Sequence, residues 1–182
     1  EDVLQARILM ADRRYAEAAA AGLSGKEEAV PALAKALLET DNPDRAWVLR
    51  NVLRPTAKKI APSVRKQLLE TAMERLGGGE RGWEALLDVA RDADPDGLAE
   101  GLRALAQKLR RGTNKEERAR SVYQILCKSD RATDDDRYAY ASLELSRSNL
   151  DTRPASRAGD ESLRLLGLLV RNNYDVDRKS AV

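Results

Sequence analysis

The sequence predicts an all-α fold, a right-handed α-solenoid of stacked antiparallel helix pairs, and three observations carry that expectation. The apolar mass of the 182 residues is alanine and leucine, aromatics make up 4%, and strand-length runs of β-branched or aromatic residues are nearly lacking. Such a composition favours helix over sheet. Apolar residues recur at helical spacing between turn signals. Alternate helices begin near residues 27, 63, 97 and 133, at intervals of about 36, 34 and 36 residues, the period of an array in which stacked neighbours bury faces that one pair cannot cover alone.

The elements follow in order along the chain. Ser24 and Glu27 have capping-box spacing before Ala29, Val30, Leu33, Leu37 and Leu38, in which each side chain would satisfy a free N–H of the other's backbone. Asp41-Asn42-Pro43 then turns the chain into a second helix with Trp47, Val48, Val52 and Leu53 on one side. Pro55 falls inside that pattern, where a proline costs about 3 kcal/mol. Pro62 and Ser63 open a helix with apolar positions 64, 68, 69, 72, 73 and 76, stopped by Gly77-Gly78-Gly79.

Trp83, Leu86, Leu87 and Ala90 form the next helix, closed by Asp94-Pro95-Asp96-Gly97, with Asp96 expected near the following N-cap. Leu98, Leu102, Leu105, Ala106 and Leu109 continue to Gly112. Thr113 and Glu116 make another capping box before Ala119, Val122, Ile125, Leu126 and Cys127, and Thr133 with Asp136 starts a helix through Tyr138, Ala141 and Leu145. A last helix, from about 159 to 172, is apolar nearly all round and so needs cover on more than one side. The expected organisation is one helical-repeat domain with repeats at about 1–23 (partial), 24–61, 62–94, 95–130 and 131–174. A start at Glu1 without methionine and a polar end past Tyr174 read as a segment excised from a longer protein.

Gly25-Lys26-Glu27-Glu28-Ala29-Val30-Pro31-Ala32-Leu33, followed by Asp41-Asn42-Pro43-Asp44-Arg45, resembles a HEAT-like repeat of the short bacterial kind. In that family the E-A-V-P-A-L stretch lies on the first helix and the D-P-x-x-R turn leads into the second. The match covers residues 25–61, and residues 6–21 look more like a tetratricopeptide hairpin. The resemblance implies a solenoid whose concave face binds a partner.

Composition excludes several chemistries within this chain. With no histidine and one cysteine, there is no Ser/His/Asp or Cys/His nucleophile, no His-ligated zinc or haem, no thiolate metal site and no disulfide framework. Asp92-Ala93-Asp94-Pro95-Asp96-Gly97 copies the first half of a calcium loop, but the twelfth position is Arg103, a cation where a bidentate carboxylate is required. No cofactor, metal or catalytic residue is therefore expected, and the chain is not read as an enzyme. The longest apolar stretch, 165–170, is broken by Gly167 and falls far short of the roughly 20 residues that span a bilayer, so no membrane insertion is expected.

Two basic clusters remain as candidates. Arg50, Arg54 and Lys58 stand at i, i+4 and i+8, with Lys59, Arg65 and Lys66 close behind, which would line one helix face with cations if the helix ran through Pro55. Lys108, Arg110, Arg111, Lys115, Arg118 and Arg120 surround Gly112. The net charge is only +2, against the stronger imbalance and stacking aromatics of dedicated nucleic-acid modules. The expected partner-binding residues are Trp47, Arg50 and Arg54, then Arg103, Arg110 and Arg118.

These features point to a cytoplasmic, non-catalytic scaffold or adaptor whose inner face holds another protein or an acidic peptide segment. Nucleic acid is the alternative partner: the HEAT-like resemblance implies a scaffold also used by DNA glycosylases, with an aspartate beside a tryptophan in a cleft. A third reading is a spacer within a multidomain protein.

Overall fold

The computed structural model of the chain describes residues 22–112 and 115–150, together with positions 164 and 167. Those residues are helical, with no β-strand among them. The helices are α1 (Val30–Glu39), α2 (Pro43–Leu53), α3 (Pro62–Gly78), α4 (Trp83–Ala93), α5 (Pro95–Arg110), α6 (Glu116–Cys127) and α7 (Asp134–Leu150). The expected elements at 6–21 and 159–172, and the cap at Thr113, lie outside the described residues.

Local chemistry sets the boundaries. Asn42 Oδ1 accepts from the backbone N–H of Asp44 (2.9 Å) and Arg45 (3.2 Å), satisfying two of the free donors of α2. Pro43 at the first helical position gives up no hydrogen bond. Gly79, at φ 75°, closes α3 in a Schellman ending, its own N–H bonded to Leu76 O and that of Glu80 to Arg75 O at 2.9 Å. Thr133 and Asp136 form the reciprocal box that their spacing predicts: Asp136 N–H donates to Thr133 Oγ1 (3.3 Å) and Thr133 N–H to Asp136 Oδ2 (2.8 Å).

Three expectations need correction. Ser24 and Glu27 make no capping box: a left-handed Gly25 (φ 84°) and a 3-10 turn, Glu27–Ala29, lead into α1, whose cap has no side-chain bond, and Glu27 pairs with Lys59 instead. Helix α2 stops at Leu53, and Pro55 sits at the start of a 3-10 turn, Arg54–Lys59, so Lys58 does not continue the Arg50–Arg54 row. Because Pro55 opens the 3-10 turn, its lack of an N–H forfeits no hydrogen bond there, whereas a continued α-helix would leave the Asn51 carbonyl without its donor. Asp94, not Asp96, caps α5, its Oδ1 accepting from Gly97 N–H at 3.0 Å.

Packing divides the chain into two compact units, the boundary falling between Gly101 and Leu102, inside α5. In the first, α1 lies against α2 and α3, α2 against α4, and α3 against α4, while the 54–59 turn packs on α2 and α4. Leu33, Leu37, Leu53, Leu68, Leu86 and Val89 are fully buried there, each contributing about 1.5–3 kcal/mol by leaving water. In the second, α6 packs on α7, and Leu102, Ala106, Ala119, Val122, Leu126 and Ala141 are buried.

Candidate functional site

On α2 the apolar face is Val48, Leu49, Val52 and Leu53, all buried. Trp47 lies off that face and is 56% exposed. Pro43, Ala46, Trp47 and Arg50 stand at i, i+3, i+4 and i+7 and so share one side of the helix. Together with Gly82, Glu84, Ala85 and Asp88 at the start of α4, they line an open groove of about 350 Å³. Its small residues, Ala46, Gly82 and Ala85, are buried, leaving the indole as the large apolar surface in contact with solvent.

Two of the three charged residues that line the groove, Arg50 and Asp88, are paired with each other, and further pairs flank them. Arg50 Nη2 meets Asp88 Oδ2 at 2.6 Å, Arg54 Nε meets Asp92 Oδ2 at 2.5 Å, and Arg91 Nη1 reaches Asp88 Oδ1 at 3.0 Å. Arg50 on α2 and Arg54 just past its end stand four residues apart, as do Asp88 and Asp92 on α4, so each arginine meets one aspartate. The Arg54 guanidinium is held above its ordinary value, first by the hydrogen bond to Asp92 and then by that carboxylate's charge. Arg50 Nε is buried with no hydrogen-bond partner among the described residues. Arg50 and Arg54, expected to face a partner, are thus bound within the chain.

Other arginines hold backbone. Arg75 donates to Thr40 O (3.0 Å) and Leu38 O (3.2 Å), carbonyls at the end of α1. Arg65 donates to Ile60 O (2.6 Å), to Lys58 O, and to Ala93 O at the end of α4 (3.4 Å). Both satisfy carbonyls that a helix end leaves free. Arg103 Nε bonds both carboxylate oxygens of Asp136, at 3.1 and 3.0 Å, and its Nη2 donates to Arg131 O at 2.6 Å. This arginine, expected at a partner surface, anchors the cap of α7.

Arg120 connects α6 to the buried Glu144 of α7 at 2.7 Å and also holds Glu117. Its guanidinium is raised from its ordinary value, first by the hydrogen bond to Glu117, against the opposing effect of burial, and then by Glu144. Arg110 and Arg118 are exposed, and Arg118 has interactions of its own. Trp83 and Cys127 are half-buried.

The calcium-like aspartates are occupied otherwise, Asp92 with Arg54 and Asp94 with the α5 cap. Among the described residues no group of three metal-ligating side chains converges, and no helix is long and apolar enough to cross a membrane. Comparison with known protein families, curated proteins and solved structures finds no match.

Of the six expected site residues, the groove brings together Trp47 and Arg50. It adds Asp88, Glu84 and Ala85, which periodicity did not single out. The available signal was the spacing of Asp88 and Asp92, which mirrors that of Arg50 and Arg54.

Proposed function

We propose that the chain is a non-catalytic protein-interaction module of the cytoplasm, built as a right-handed solenoid of HEAT-like or tetratricopeptide-like helix pairs, in which Trp47 anchors a protein partner. The exposed indole in the α2–α4 groove carries this reading. A tryptophan has a large apolar surface to bury, and tryptophans dominate interface hot spots where polar rims exclude water. Here the rim is the Arg50–Asp88 pair and Glu84. The packing of α1 with α2 and α3, and of α4 with α2 and α3, supports the array, because successive antiparallel pairs place like helices side by side.

Affinity capture with the wild-type chain and with Trp47→Ala tests the reading. The variant should keep its helicity by circular dichroism and lose the partner that the wild type retains. Equal capture by both would retire the groove. A Trp83→Phe background leaves Trp47 as the only indole, whose emission should shift to the blue as the partner covers it.

One observation favours a second reading, the DNA glycosylase type: Asp88 and Trp47 line the same groove. Against it, both Asp88 oxygens are held by arginines. Release of a base from duplex DNA, abolished by Asp88→Asn, would support that alternative over the binding module.

A further inference from the structure

Most cations already described are committed, but those at the α5–α6 turn are not. Lys108, Arg110, Arg111 and Lys115 are all exposed, and none has an ion-pair or hydrogen-bond partner for its side chain among the described residues. From Gly101 to Lys115 the sequence contains no acidic residue. The backbone turns between them: Gly112 N–H donates to Leu109 O at 3.0 Å, Lys115 N–H returns to Gly112 O at 3.3 Å, and the stem of Lys115 lies over Gly112, where a Cβ would come within 2.9 Å of its Cδ.

Structure alone accounts for only part of the cluster. Lys108 and Arg110 complement the negative end of the α5 dipole. Lys115 does the opposite, standing as the N-cap of α6 with no capping bond from its side chain, a cation at the positive end of a helix. The patch also lacks an apolar anchor: the exposed large hydrophobic residues among those described are Trp47 and Leu145, and Tyr123, the nearest aromatic in sequence, is buried. Protein interfaces draw their energy from a desolvated apolar centre, and single-strand binders from stacking aromatics. Cations without either fit a ligand held by charge alone.

We propose that the turn formed by Lys108, Arg110, Arg111 and Lys115 is a sequence-independent contact for the phosphate backbone of double-stranded nucleic acid. Each side chain neutralises a phosphate and releases its counterion, and no base edge is read. This surface is independent of the Trp47 groove.

Fluorescence anisotropy of a short labelled DNA duplex against the whole chain over a salt series tests this. Four phosphate contacts predict a slope of log K on log salt of about −3 to −4, so that a fourfold rise in salt weakens binding about 100-fold. Arg110→Gln/Arg111→Gln should lower the magnitude of the slope by about 2. Lys108→Gln/Lys115→Gln should do the same, which guards against a local effect of either pair, while Lys66→Gln should change nothing. No binding at low salt, an unchanged slope in both double variants, or equal displacement by an acidic polypeptide at matched charge would overturn the assignment.

Discussion

Glu144 shows what a single residue can decide. Its side chain is 1% exposed, Arg120 balances its charge, and its Oε2 has no hydrogen-bond partner among the described residues. Breaking such a pair costs far more than replacing it, because one buried charge is left uncompensated. Arg120→Met should therefore destabilise the chain by about 3–5 kcal/mol, whereas Arg120→Met/Glu144→Leu should recover most of that loss in thermal or urea unfolding; a double variant no more stable than the single one would refute the account. The Arg54–Asp92 pair is partly exposed, at 46% and 27%, and a double-mutant cycle should give a coupling of only about 0.2–1 kcal/mol, weakening with salt. The sequence marked Arg50 and Arg54 as cations on one face but not their consumption by Asp88 and Asp92, because pairing across 38 residues depends on how α2 and α4 register.

Elements were legible where short-range chemistry governs them. Pro43, Pro62, Gly79 and the Thr133–Asp136 box each act within a few residues, and the structure places α2, α3 and α7 at the positions they specify. The Ser24–Glu27 box failed because Gly25 allowed a left-handed turn and Lys59, from another element, competed for Glu27. Asn42→Ala should thus cost about 1 kcal/mol in a denaturant titration, the usual worth of an N-cap, and a cost near zero would show that α2 is fixed by packing alone. Gly101 gives a second element-scale test, since a Cβ there would sit 3.3 Å from Leu69 Cδ1. In Gly101→Ala the gain in helix propensity, about 1 kcal/mol, opposes that crowding, and the half-buried Leu69 can yield, so stability should hold or rise. Gly101→Leu should lose stability, because the larger side chain has no room between α5 and α3.

For the whole molecule, periodicity foretold an all-helical chain but not its division within α5, since a break in packing inside a continuous helix leaves no turn signal. Trp47 and Trp83, the chain's two tryptophans, both belong to the first unit. Indole emission therefore follows unfolding of that unit, while far-UV circular dichroism follows every helix. Each unit has its own buried leucines, Leu33, Leu37 and Leu86 in one and Leu102 and Leu126 in the other, and its own ion pairs, Arg50–Asp88 in the first and Arg120–Glu144 in the second. Destabilising the second unit with Arg120→Met should accordingly move the dichroism transition to lower denaturant and leave the indole transition nearly in place. Non-coincident probes are the mark of units that unfold separately. If the indole transition shifts by the same amount, α5 transmits the loss in full and the two units unfold as one.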